Sequence, residues 1–434
     1  MDQEAKESTV TTQIKERPIN KKRLVKRYLM TAVSAVIFGL VACTTFIAIE
    51  PTISGLLRPD EEKPSIVEFP EETVETEILP EDMLTLPEDP PENVTVEEVQ
   101  EIVSQEIDSK TTEAAPLGIE DVRSLSIALA GVAREAATSM VTVTMVTEDT
   151  DWFDNSYEDS GSIPGVLIAD NGVEKLILTK AADLEEAEDL RVTFADGLKV
   201  RARVEAHDFR TNLTVLAVSR PLIPKKTLDY CPEMGLGSSS PMQIEGMPVI
   251  ALYPQGAAAY GFVSLATRTA NYCDLNVRLL TTDIYGPSSP SGILVNLRGQ
   301  LVGIIDGDHT QSDMANAVSA LGISDLRALI ENLSNGMILP YAGIMGVDIP
   351  GEISASQGIP MGAYITDTDL NSPAMRSGLR AGDIVVSFDG TEVKSFRSLT
   401  ELLLACKSAS EHKFTILRDS QGEYRQEEYT VVLD

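Results

Sequence analysis

The chain is poor in the side chains that hold metals and redox groups. Its 434 residues include 3 histidines and 4 cysteines. They contain no CxxC pair, no histidine-rich cluster, no phosphate-binding glycine loop and no dinucleotide motif. These absences remove the common signatures of cofactor-dependent chemistry, and neither cofactor nor metal is expected. Cys43 falls within an apolar run, leaving Cys231, Cys273 and Cys406, so at most one bridge can form; Cys231 with Cys273 stays open. Positive charge is also scarce. Lys and Arg number 35 against 67 Asp and Glu, a net charge of −32, which argues against nucleic acid or anionic lipid as a partner.

The charge that is present is unevenly placed. Lys15 to Arg27 carries seven basic residues and one acid, and Tyr28 to Ile49 follows with 22 uncharged residues. That run is long enough to span a bilayer once, and the basic cluster keeps the preceding end cytoplasmic. Leu40-Val41-Ala42-Cys43 looks like a lipoprotein cleavage box, but the apolar run continues through Phe46, Ile47 and Ile49, which favours an uncleaved anchor. From Arg58 to Glu113 there are 19 acidic and 3 basic residues, with prolines at 59, 64, 70, 80, 87, 90 and 91. Self-repulsion and proline stiffness predict an extended, disordered, solvated spacer. Helical apolar spacing in 93–107 predicts a short interruption of it. The expected organisation is a basic cytoplasmic tail at 1–27, a transmembrane helix at 28–50, an acidic extracellular linker at 51–116, and folded domains at 117–335 and 336–434.

The first folded region reads as mainly β. Met140 to Val146 is rich in β-branched residues, Asp196-Gly197 is a hairpin turn, and Val249 to Ala251 and Gly261 to Ser264 are further short strands. Short strands separated by turns predict a pair of β-barrels. Together with Leu236-Gly237-Ser238 and the stretch Thr282 to Ile304 (TDIYGPSSPSGILVNLRGQLVGI), this region resembles the HtrA/Deg family of trypsin-like serine proteases. The resemblance implies a chymotrypsin-like double barrel with a histidine, an aspartate and a serine at its cleft.

At those three positions the chain departs from the family pattern. The segment resembling the histidine strand is Ile177 to Leu184, which puts Ala182 at the base. The segment resembling the aspartate turn is Asp208 to Leu216, which puts Asn212 at the carboxylate. Aligned from its downstream end, the nucleophile loop places Pro290 at the serine; aligned from its upstream end, it places Ser291 there. A serine hydroxyl attacks only when a base removes its proton and a third group orients that base. Loss of the serine or histidine from a working triad costs on the order of 10⁶ in turnover. An oxyanion hole needs converging N–H groups, and proline supplies none. Lys180 could serve in a serine–lysine pair only if burial depressed its pKa, so a solvated lysine is the expectation.

The last hundred residues resemble an HtrA-type PDZ domain. Met361 to Gly390 contains Asn371-Ser372-Pro373-Ala374, a capped helix start, and Gly378-Leu379-Arg380-Ala381-Gly382-Asp383. Such domains bind a peptide C-terminus beside a helix, its carboxylate held by loop amides. By resemblance that loop is Tyr341-Ala342-Gly343-Ile344, and the helix contributes Leu399, Leu402 and Leu403. The expected protein is a membrane-anchored, extracytoplasmic pseudoprotease that binds C-terminal or extended peptides in envelope protein quality control, or regulates active HtrA paralogues, and that assembles as a homotrimer. Two alternatives stay open: an active endopeptidase using Ser291, and a structural scaffold with a closed PDZ groove.

Overall fold

The computed structural model describes residues 64–70, 72, 118–146, 162–182, 189–286, 290–309, 317–420 and 422–434. It also describes Met30, Leu184, Ala187 and the short strands 148–150 and 156–158. Residues 1–63 form one unit and 64–434 another. Apart from Met30, the expected span at 28–50 lies outside the described residues, as does the helix expected at 93–107. Among the described residues no helix is long and apolar enough to cross a membrane.

Helix α1 (Ile119–Ala137) opens at Gly118, whose N–H donates to the Asp121 carboxylate at 2.7 Å. It leads into β1 (Met140–Val146), the strand expected from its β-branched content. A small hairpin, β2 (Glu148–Thr150) with β3 (Ser156–Glu158), precedes β4 (Ser162–Asp170), β5 (Glu174–Lys180), β6 (Asp189–Thr193), β7 (Lys199–Asp208) and β8 (Leu213–Ser219). These close into a barrel in the order β1-β4-β5-β8-β7-β6. The Asp196-Gly197 turn sits between β6 and β7, with Gly197 at φ 89°. Alternation explains β8, which is buried almost throughout. Leu216 and Val218 fill the barrel interior, whereas Leu213, Val215 and Ala217 face the second barrel.

After the short helices α2 (Lys225–Tyr230) and α3 (Pro241–Ile244) comes the second barrel. Its strands are β9 (Pro248–Leu252), β10 (Ala258–Tyr272), β11 (Leu275–Tyr285), β12 (Ser291–Val295), β13 (Leu301–Asp306) and β14 (Ala317–Gly322), closed in the order β10-β11-β14-β13-β12-β9. Helix α4 (Ile323–Ser334) buries Leu326, Leu329, Ile330 and Leu333 in the core shared by the two barrels.

A third sheet follows, ordered β15 (Ile344–Asp348), β16 (Ala363–Thr368), β17 (Ile384–Phe388), β19 (Glu411–Ser420), β20 (Glu423–Val432), with β18 (Thr391–Glu392) beside β17. Helices α5 (Gly351–Gln357), α6 (Pro373–Ser377) and α7 (Phe396–Leu404) complete it around Phe396, Leu399, Phe414 and Ile416. Ser372 caps α6 through the Met375 N–H, as its position before Pro373 predicts. Helix α7 starts three residues earlier than its leucine spacing suggests, because Ser395 accepts from the Ser398 N–H and caps the turn at Phe396. The architecture is mainly β: a trypsin-like double barrel followed by a PDZ sheet.

One expectation is corrected. Residues 64–70 of the acidic linker are not a solvated spacer. Val67 is buried in the shared core, and its N–H and carbonyl bond to the Asn335 side chain at 2.9 Å each. The Ser65 N–H donates to the Asn171 carbonyl, and the Arg327 guanidinium donates to the Pro70 carbonyl and pairs with Glu72. Backbone groups satisfied by a distant amide and a partly buried arginine outweigh the local repulsion that governs the composition of this stretch.

Candidate functional sites

Of the expected triad positions, Pro290 and Ser291 line a hollow between the barrels, whereas Ala182 and Asn212 are not among its lining residues. Asn212 closes the β7–β8 turn at φ 57°, a left-handed conformation that asparagine tolerates. Its carbonyl accepts from the Ala181 N–H at 2.9 Å, which holds the end of β5 beside it. Ala182 follows, exposed, with a methyl group where the resemblance places an imidazole. Ser291 is the first residue of β12 and pairs across the ladder with Asp306 of β13. Gly292 lies so close to β9 that a Cβ on it would come 2.2 Å from the Leu252 carbonyl oxygen. A hollow of about 360 Å³ is lined by Thr179, Lys180, Pro290, Ser291, Asp306 and Asp308.

Lys180 departs from the expectation of a solvated side chain. It is only 17% exposed, and its Nζ lies 3.1 Å from both Asp306 Oδ1 and Asp308 Oδ2. Asp306 is fully buried and shared, its other oxygen lying 3.0 Å from His309 Nδ1. Burial pushes the Asp306 carboxyl up, but the Lys180 ammonium, the Asp308 amide and His309 together pull it below the ordinary carboxylate value. Among the described residues no basic side chain hydrogen-bonds to the Ser291 hydroxyl. His207 is bonded to Thr214, and His412 to Asp389 and Ser410.

The second site is the loop before β15. Gly343 takes φ 77°, and a Cβ there would lie 2.3 Å from the Ser372 Cβ, so only glycine fits. This turn aligns three consecutive amides on one anion. The N–H groups of Ala342 and Gly343 each donate to Asp274 Oδ2 at 2.8 Å, and that of Ile344 donates to Asp274 Oδ1 at 2.8 Å. Asp274 comes from the β10–β11 hairpin tip of the second barrel and is itself left-handed, at φ 61°. Its own N–H donates to the Ile344 carbonyl at 2.7 Å, and its carbonyl accepts from the Thr400 hydroxyl of α7 at 2.9 Å. Burial pushes its carboxyl above the ordinary value against the pull of the amides and of Arg210.

The remaining loop and helix residues divide. The Tyr341 backbone pairs with Asp434, and its hydroxyl bonds to Asp369, so Tyr341 flanks the amide cluster without joining it. Leu399 and Leu403 lie in the PDZ core, and Leu402 packs against it half-buried. Sequence reasoning missed Asp274, Thr400 and the two carboxylates on Lys180. The one visible signal was an acidic residue, tolerant of left-handed backbone, at the tip of a tight hairpin.

Two barrels with a cleft between them, joined to a sheet whose loop binds an anion, define the class: a trypsin-like fold with a PDZ domain. Residues 340–424 match the PDZ domain family model. The chain is similar to "Probable periplasmic serine endoprotease DegP-like" of Halomonas elongata, 30% identical over 277 residues, 62% of this chain and 55% of the relative. It is also similar to "Serine protease Do-like HtrA" of Bacillus subtilis, 29% identical over 274 residues, 57% and 59%. Among solved structures, "HtrA-type protease AlgW with decapeptide" superposes with a TM-score of 0.49 at 20% identity, covering 70% of this chain and 98% of that one. The chain is a homologue of the HtrA/DegP-type serine proteases with one PDZ domain. It spans a little over half the length of these two curated relatives.

Proposed function

We propose that this chain is a proteolytically silent HtrA-type homologue that works by recognition. In this reading residues 28–50 anchor it in a membrane, its bulk is extracytoplasmic, and its PDZ domain captures C-terminal or extended peptides of envelope proteins or regulates active paralogues, with a homotrimer as the assembly. The observation that carries the reading is the commitment of Lys180 to Asp306 and Asp308. Among the described residues, Lys180 is the one amine lining the hollow, and it is engaged with carboxylates, while Ala182 and Asn212 offer neither base nor carboxylate. A hydroxyl without a proton acceptor is a poor nucleophile.

A second reading has a specific observation in its favour. The Asp306–His309 pair begins directly across the ladder from Ser291, and the relatives carry protease names. An endopeptidase would use Ser291 with His309 as base. Treatment of the full chain with a fluorophosphonate probe separates the two. We expect no labelling above that of Ser291→Ala; labelling abolished by both Ser291→Ala and His309→Ala would overturn the silent reading.

A further inference from the structure

The amide cluster of the PDZ loop is filled from within the chain. Three successive backbone N–H groups converging on one carboxylate is the arrangement by which a main-chain nest holds an anion. Asp274 meets all three walls of the groove: the loop through its carboxylate, β15 through its N–H on the Ile344 carbonyl, and α7 through Thr400. Two residues further on, Asn276 Nδ2 donates to the Gly346 carbonyl at 2.9 Å, so the segment continues along β15. Leu275, between them, is buried. Arg210, also buried, braces the tip by reaching the Cys273 carbonyl.

We propose that the β10–β11 hairpin is an internal ligand of the PDZ domain, with the Asp274 side chain standing where a peptide's terminal carboxylate would stand, so that an external C-terminus binds only by displacing it. This rests on reading the domain as a peptide-recognition module. The partner class is a chain end with a free carboxylate, because that is the group the three amides hold.

The test uses the full chain and a fluorescently labelled random decapeptide pool, with free C-termini in one arm and amidated C-termini in the other, read by anisotropy. Asp274→Asn replaces one carboxylate oxygen with an NH₂ that faces amide donors. Its Kd for the free-carboxylate pool is expected to fall at least 10-fold below wild type, with no gain for the amidated pool. Thr400→Val, which removes only the hydroxyl on the Asp274 carbonyl, is expected to gain about 3-fold and guards against a misfolded Asp274→Asn. Hydrogen exchange of the unliganded wild type is expected to show 342–344 protected. Wild type binding as tightly as both variants, no carboxylate-dependent binding by either, or open-loop exchange at 342–344 would each overturn the proposal. None of these outcomes touches the fluorophosphonate result, so the silent reading stands or falls separately.

Discussion

The cleft and the PDZ loop differ in which atoms build them. The cleft would depend on side chains, and in the proposed reading Ala182, Asn212 and either Pro290 or Ser291 stand where a triad would be, on an intact frame. The loop depends on backbone amides, which no substitution but proline removes; Ala342, Gly343 and Ile344 present N–H groups that do not come from their side chains. A main-chain site can be silenced by occupying it, and Asp274 occupies this one. The frame of each site survives for the same reason, because apolar alternation in the barrels and core burial in the PDZ sheet do not use the polar groups at the mouth.

Substitutions on the two sides sharpen the contrast. The largest effect is expected at the loop. Gly343→Val forces a β-branched residue into left-handed backbone against Ser372 and should cost about 4 kcal/mol in urea unfolding. A cost under about 1 kcal/mol would mean that the turn is not needed in its present form. Next comes Lys180→Met in the cleft, which leaves Asp306 buried without its ammonium and should cost about 3 kcal/mol at neutral pH. The sign with pH follows from the lowered Asp306 carboxyl. Its stabilisation is present above the ordinary value of 3.8 and is lost as pH falls through the lower value it holds in the fold. Calorimetric midpoints of wild type and variant should therefore converge in strong acid; a constant gap down to pH 2 would break the assignment. The smallest effect is expected at Asn212, where only backbone conformation is at stake. Asn212→Ala should cost about 1 kcal/mol and Asn212→Asp less than about 0.5. An equal, large loss from both would show that the asparagine amide itself is structural.

Local chemistry was legible in the sequence, and distant partnerships were not. The strand Met140–Val146, the Asp196-Gly197 turn and the Ser372 cap each follow from a few neighbouring residues. The docking of 64–70 depends on Asn335 and Arg327, more than 250 residues away, while the acidic, proline-rich composition around the short apolar run Ile66, Val67 and Phe69 argues for solvation. Lys180 is equally opaque, since its partners Asp306 and Asp308 arrive from the other barrel. Asp274 is one acid among 67 Asp and Glu, and nothing beside it reveals which amides its turn will meet.

The hairpin on the loop also sets the terms for any competitor. An occupant carried on the same polypeptide acts at an effective concentration in roughly the millimolar range. A soluble chain end at about 1 μM with equal intrinsic affinity would then hold the groove only about one part in a thousand. Partners able to dislodge it are those delivered at high local density, such as chain ends crowded at a surface or arrayed on an oligomer.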